Sequence, residues 1–299
     1  MVRDVVIIGA GPAGISASVY LQRIGLKPLV LEKGRTGGLL LNANLVENYP
    51  GFPDGIGGRE LADLFKEQLD HWGIEVRRCE VRMVVPVDGR FKLLTSEDEI
   101  ESRAVVLATG TKPKKAGILG ENELKGARVF YEIRDMPEEE GRDHIVVGSG
   151  DAAFDYAMNL SRRARRVDIV YRSSKPKCIG LLLERVLERE NIYLFPDTEP
   201  DSLSEVNGRL RLSCSTSEGE KHLDADYVLI ACGREPNWVE VEGTEVASTI
   251  GDDCETSVPG LYVAGDVKRG RFRQVGIAVG DGLHTAMSIA DFLARGEEK

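Results

Sequence analysis

Residues 4–14 read Asp4-Val5-Val6-Ile7-Ile8-Gly9-Ala10-Gly11-Pro12-Ala13-Gly14, and this stretch decides the fold. Val5 to Ile8 are apolar and β-branched, the composition of a strand buried on both faces. Gly9, Gly11 and Gly14 then satisfy G-x-G-x-x-G, a helical pattern runs from Ala13 to Ile24, and Gly25 closes it. A second strand, Lys27 to Leu31, ends at Glu32. Each glycine has its own reason. Gly9 allows the tight turn out of the strand, Gly11 lets a pyrophosphate approach the backbone, and Gly14 permits close helix–strand packing. The helix start aims unpaired amide N–H groups and a partial positive charge at the phosphates. Glu32, 18 residues after Gly14, places a carboxylate where ribose hydroxyls can donate to it. A glycine triplet alone says little; strand, helix and acid at this spacing mark a dinucleotide site.

The pattern then begins again. A strand from His144 to Val147 leads into Gly148-Ser149-Gly150-Asp151-Ala152-Ala153, a helix from Phe154 to Arg163, and a strand from Val167 to Tyr171. Alanine is an accepted third residue of the fingerprint. No carboxylate closes this second unit; Arg172 follows Tyr171, with Lys175 and Lys177 nearby. Cations there pair with a 2′-phosphate that a carboxylate would repel, so this site is expected to prefer NADPH over NADH. The plainer reading of the same cations is a solvated surface loop. Residues 105–113, VVLATGTKP, also match residues 228–236, VLIACGREP, which points to an internally duplicated nucleotide-binding fold. Between the units, Gly58 to Trp72 reads as an amphipathic helix. Residues 74–95 read as antiparallel strands turning at Asp88-Gly89, and Arg103 to Ala108 as another buried strand. Asp226 to Ala231 reads as a strand, and Gly260 to Leu293 as a strand and long helix that return to complete the first domain.

Composition narrows the class. The 299 residues are 42% hydrophobic and 29% charged, enough for packed cores and against global disorder. The net charge of −10 argues against nucleic acid as a partner. No apolar run approaches the ~20 residues of a membrane span, and the N-terminal stretch is broken by glycines and Pro12 before a signal peptide could form; a cytoplasmic protein is expected. The five cysteines, Cys79, Cys178, Cys214, Cys232 and Cys254, include no C-x-x-C. Neither a disulfide framework nor a metal site is expected, but reduced, mostly buried thiols.

Taken in order, GAGPAG (9–14), Glu32, Gly37-Gly38, ENYPGFP (47–53), ATG (108–110), GSGDAA (148–153), GREPN (233–237), TSVPGLYVAGD (256–266) and RQ (273–274) resemble the low-molecular-weight thioredoxin reductase family across nearly the whole chain. The resemblance implies an α/β fold of two Rossmann-like (three-layer ββα) dinucleotide-binding domains, the second inserted in the first. An FAD domain would comprise residues 1–116 and 241–299, and an NAD(P)H domain residues 117–240, in a homodimer. Gly9, Gly11, Pro12, Ala13 and Gly14 would hold the FAD pyrophosphate and Glu32 its ribose. Gly38, Leu39, Asn48, Thr109 and Gly110 would line the flavin site; Gly265 and Asp266 would meet the ribityl chain, and Arg273, Gln274 and Val275 the isoalloxazine ring. Gly148, Gly150, Asp151, Ala152 and Ala153 would cradle NADPH, with Arg172 and Lys177 at its 2′-phosphate. Relative motion of the domains, at linkers near 112–120 and 236–243, would gate nicotinamide access.

The chain departs from that family at one decisive place. Thioredoxin reductases carry a C-x-x-C shortly before the second glycine fingerprint; the matching stretch here, residues 129–135, puts Glu132 and Asp135 at the two cysteine positions. A carboxylate cannot take part in thiol–disulfide exchange. Leu39 also replaces a glutamine common in the family. Of the family's arginine-rich phosphate clamp only Arg172 remains, with Lys177 standing for the last arginine as a point charge without arginine's planar fork. The expected function is therefore an FAD-dependent NAD(P)H oxidoreductase passing electrons to a small molecule, O₂ or a small redox protein. No catalytic side chain is required, because the coenzymes carry the chemistry. A thioredoxin reductase-like ferredoxin–NADP reductase, an NAD(P)H oxidase and a non-enzymatic flavin-binding redox sensor or interaction protein stay open as alternatives. The RRARR stretch (162–166) reads as a solvated helix end, with docking of an acidic partner as the alternative, PEEEGRD (137–143) as an exposed loop, and the four histidines as structural.

Overall fold

One long strand organises the first sheet. The computed structural model describes residues 2–246, 251 and 254–297. In it β1 (Arg3–Ile8), α1 (Pro12–Arg23) and β2 (Leu29–Glu32) form the expected β-α-β unit, with Val6 beside Leu29 and Ile8 beside Leu31 in a parallel ladder. After α2 (Gly58–His71), β3 (Glu75–Arg78) adds in parallel to β2. β4 (Val81–Val87), β5 (Arg90–Thr95) and β6 (Glu99–Leu107) then pair antiparallel in succession. The expectation of antiparallel strands throughout residues 74–95 is thus corrected at β3. A strand reached through a crossover helix returns in the direction of the strand before it.

The two halves of β6 take different partners. Residues 99–102 face β5, whereas Val105–Leu107 lie parallel to the strand Leu261–Val263. The chain's late segment thereby joins the sheet formed by its first hundred residues. α5 (Val275–Glu297) follows, and its Ala278, Ala286, Ile289 and Leu293 share a core with Ala13, Ala17 and Leu21 of α1. The helices approach closely because Gly282 has no side chain: a Cβ there would stand 2.1 Å from the Ala13 carbonyl oxygen.

A second compact unit comprises Asn42–Leu45 and Pro113–Glu235; the first holds Met1–Leu41, Val46–Lys112 and Pro236–Lys299. The second unit's parallel sheet contains β8 (Val129–Phe130), β9 (Asp143–Val147), β10 (Arg166–Val170), β11 (Ile192–Phe195) and β15 (Tyr227–Ile230), in the order β11-β10-β9-β15-β8. α3 (Asp151–Ser161) and α4 (Gly180–Leu187) accompany it. α3 begins three residues before the expected Phe154 because Gly150, in extended conformation, hands the chain directly into the helix. A three-stranded antiparallel sheet, β12 (Glu199–Val206), β13 (Arg209–Thr216) and β14 (Gly219–Ala225), had no counterpart in the sequence reading. It buries Leu203, Leu210, Leu212, Cys214 and Leu223 against Ile145, Val147 and Val228 of the parallel sheet.

The repeated tripeptides meet. β7 (Thr111–Pro113) and β16 (Arg234–Pro236), the TKP and REP of the duplicated ends, pair with each other. Asn237 N–H donates to Gly110 O at 3.0 Å on one side of this ladder, and Lys114 N–H to Gly233 O at 3.0 Å on the other. No helix among the described residues is long and apolar enough to cross a membrane.

Candidate functional site

The first glycine turn is built to keep side chains out. Gly9 has φ +111°, and a Cβ on it would lie 2.3 Å from the Ala108 carbonyl oxygen; a Cβ on Gly14 would lie 1.9 Å from the Gly9 oxygen. These two glycines serve the fold. Gly11 differs, because a Cβ there would meet nothing nearer than the Gly38 Cα at 4.0 Å. Its missing side chain leaves the backbone at the start of α1 open to approach. Gly11 caps α1 with no side-chain bond to the first amides and Pro12 at the helix start, so those N–H groups stay available to an anion.

Glu32 is held by the turn it serves. One carboxylate oxygen accepts the Ala10 N–H at 2.8 Å and the other the Gly34 N–H at 2.6 Å. A carboxylate offers about four lone-pair sites, so acceptor capacity remains for ribose hydroxyls. Beside it a cavity of about 360 Å³ is lined by Gly9, Glu32, Cys79, Arg82, Thr109 and Trp238, among others. The Thr109 hydroxyl is buried there with no hydrogen-bond partner. A buried orphan hydroxyl, an open glycine cradle and a carboxylate with spare acceptor capacity together fit an adenine dinucleotide. Asn237, Trp238, Arg82 and Cys79 were missed by sequence reasoning, since they come from strand edges and a crossing with no fingerprint.

The remaining flavin-side residues fall as follows. Leu39 is half-buried in a short 3-10 turn, Gly38–Asn42, and Asn48 donates its amide to the Gln274 side-chain oxygen at 3.0 Å. Gly110 has φ +62° and open space at its Cβ position. Gly265 has φ +77°, with room for a Cβ denied by the Ala13 Cβ at 2.8 Å. The buried Asp281 accepts its N–H at 3.2 Å and pairs with Arg269, which fixes the turn carrying Asp266. Arg273 Nε donates to the Arg269 carbonyl at 2.9 Å, and Val275 opens α5.

The second glycine turn repeats the first. Gly148 has φ +150°, with a Cβ position 2.5 Å from the Ala231 carbonyl oxygen, while Gly150 has open space around it. Asp151 and Ala152 are exposed at the start of α3 and Ala153 is buried. Asp151 accepts the Ile179 N–H at 2.9 Å, and Lys177 N–H donates to Ser149 O at 2.7 Å. These bonds fold the Lys177 segment back onto the turn. Arg172 is exposed, 3.6 Å from Glu199.

Glu132 is buried in the second unit. Its carboxylate pairs with Arg234 at 2.8 Å and accepts the Asn42 amide, and the Asn42 side-chain oxygen accepts the Arg134 N–H at 3.2 Å. Asp135 is exposed. In the same unit Asn44 N–H donates to Asp155 at 2.8 Å, and burial pushes the Asp155 carboxyl up to about 6. All five cysteines are free and most are buried, as expected: Cys79, Cys214 and Cys254 are buried, Cys178 is half-buried and Cys232 is exposed. Cys232 follows β15, and its thiol donates to the Val147 carbonyl at 3.5 Å. The RRARR stretch is also less free than expected. Arg165 pairs with Asp143, Arg166 with Asp168 at 2.7 Å, and Arg166 lies over the Tyr193 ring at 4.1 Å. Asp143, expected in a loop, is buried in β9. His144 is buried with both ring nitrogens unpartnered and stacks on Tyr227, and burial lowers its pKa to about 4.

Two compact units, each with a parallel β-α-β unit whose helix opens from a glycine turn, define the class of proteins with two dinucleotide-binding domains. Residues 3–282 match the family described as pyridine nucleotide-disulphide oxidoreductase. A thioredoxin reductase of Bacillus subtilis is 33% identical over 308 residues, covering 99% of this chain and 96% of that relative. One from Mycolicibacterium smegmatis is 34% identical over 310 residues, covering 98% and 97%. The solved thioredoxin reductase of Lactococcus lactis, in its FR conformation, matches with a TM-score of 0.90 at 30% identity over 98% of this chain and 99% of that one. That of T. acidophilum matches at 0.89 and 32%, over 97% and 98%. The chain belongs to the pyridine nucleotide-disulphide oxidoreductase family, and within it to the thioredoxin reductase-like flavoproteins.

Proposed function

We propose that this protein is an FAD-dependent NAD(P)H oxidoreductase that delivers electrons to an acceptor without using a dithiol of its own. The observation that carries the reading is Glu132. At the position that the family resemblance gives to the first redox cysteine, this chain holds a buried carboxylate fixed by Arg234 and Asn42. A carboxylate in that setting has no exchangeable sulfur, and the sequence offers no C-x-x-C elsewhere.

When bound, the nicotinamide supplies a hydride and the flavin takes it up and releases electrons. The chain's residues bind and orient. The α1 amides at Gly11 hold the FAD pyrophosphate, Glu32 accepts from its ribose, and the Thr109 hydroxyl gains a partner. Gly265 and Asp266 meet the ribityl chain, and Gly38, Leu39, Asn48, Gly110, Arg273, Gln274 and Val275 border the flavin. Gly148, Gly150, Asp151, Ala152 and Ala153 receive NADPH, with Arg172 and Lys177 at its 2′-phosphate. Residues 1–116 and 241–299 serve as the flavin domain and 117–240 as the nicotinamide domain of a homodimer. The acceptor is a small molecule, O₂ or a small redox protein.

Anaerobic mixing of the FAD-loaded protein with NADPH or NADH tests this. Rapid bleaching of the yellow flavin by either is the expected result, followed by reoxidation with ferredoxin, a quinone or O₂ but not with thioredoxin. Bleaching by dithionite alone would replace the enzyme with a flavin-binding sensor.

A further inference from the structure

We propose that Glu199 sets the coenzyme preference of the second site, as an internal competitor with the 2′-phosphate for Arg172. This inference rests on the reading of that site as NAD(P)H-binding and concerns which form it favours.

The placement comes from the sheet. β9 runs into the Gly148 turn, and β10 lies beside it in parallel, with Val147 paired to Val170. Arg172, two residues beyond Val170, is thereby carried to the end of the sheet where the glycine turn opens, the end at which nucleotides bind in open parallel sheets. Glu199 opens β12 and reaches Arg172 at 3.6 Å. The two side chains are 77% and 57% exposed, so their pairing is solvent-screened and breaks readily. A phosphomonoester takes a guanidinium bidentately and carries about −1.5 to −2 charge. To engage Arg172 it must first displace the Glu199 carboxylate.

A free 2′-hydroxyl, as in NADH, asks nothing of Arg172 and pays no such cost. Glu199 therefore subtracts from the binding of one coenzyme and leaves the other almost untouched. Lys177, tethered to the glycine turn through its backbone bond to Ser149 at 2.7 Å, adds only a point charge. A site with one guanidinium already engaged and one ammonium accepts both coenzymes.

The test compares adenosine 2′,5′-bisphosphate with 5′-AMP, titrated calorimetrically into FAD-loaded protein. Glu199→Gln should tighten the bisphosphate by about three- to fivefold and change 5′-AMP by less than about twofold. In an Arg172→Met background the gain should vanish, because the competitor acts through that guanidinium. No gain, an equal gain for both nucleotides, or a gain that survives without Arg172 would each overturn the inference while leaving the site intact. Wild-type protein that binds neither nucleotide would overturn the site itself, and the inference with it.

Discussion

The Glu132 carboxylate lies 2.8 Å from the Arg234 guanidinium through one oxygen and accepts the Asn42 amide through the other. Both charges are largely withdrawn from water, at 8% and 17% side-chain exposure. Removing one partner strands the other, which costs about 3–5 kcal/mol, whereas replacing both by apolar groups is close to neutral. Arg234→Met should therefore lower the urea-unfolding free energy by about 3 kcal/mol, and Glu132→Leu combined with Arg234→Met should recover most of it. A single variant as stable as the wild type would mean that the pair is solvated after all.

The glycines of the first turn separate folding from flavin binding. Gly11→Ala meets only the Gly38 Cα at 4.0 Å, so the apoprotein should keep its stability to within about 1 kcal/mol, while its FAD affinity falls at least about tenfold. Gly14→Ala drives a Cβ to 1.9 Å from the Gly9 oxygen and should cost about 2–3 kcal/mol in the apoprotein itself. The ratio of flavin absorbance to protein absorbance, read with apoprotein thermal unfolding, distinguishes the two.

Stability should respond to pH through two opposed groups. Asp155 is raised by burial from 3.8 to about 6, so the folded protein binds the extra proton between those values and loses stability as pH rises through that window. His144 is lowered from 6.5 to about 4, so the unfolded chain binds the extra proton and stability is lost as pH falls through that window. Each is worth about 3 kcal/mol, and in wild type they largely offset. Asp155→Asn should make the urea midpoint rise from pH 4.5 to 6, and His144→Phe should make it fall. Parallel profiles for all three proteins would contradict the assignment.

Electron transfer should be indifferent to sulfur. Cys178→Ser with Cys232→Ser removes the two thiols that are not buried. The double variant should bleach with NAD(P)H and reoxidise within about twofold of the wild-type rates. A loss of acceptor turnover with normal bleaching would put a thiol back on the electron path.

The parts of the fold that depend on local rules were readable from the residues. The glycine fingerprints, the β-branched runs and Glu32 located both β-α-β units, because each needs a particular backbone or charge at a short, fixed spacing. What escaped depends on distance along the chain. Asn42 and Glu132 are 90 residues apart, and Asn237 reaches Thr109 across 128; no periodicity carries such contacts. β12 to β14 escaped for another reason: charged residues crowd their outward faces, and no strand was read over residues 199–225. The direction of β3 turned on the crossover helix before it, which the alternation of its residues does not report.

The pairing of β7 with β16 has a consequence for how such a chain arose. Neighbouring strands lie about 4.8 Å apart, so the residues where the chain leaves the first unit and where it re-enters it are near neighbours. A guest segment such as Pro113–Glu235, whose ends are held side by side, can be spliced into a host without stretching either. A short turn from Lys112 to Pro236 would close the gap, at the cost of the bonds that Asn42 and Asn44 make to Glu132 and Asp155.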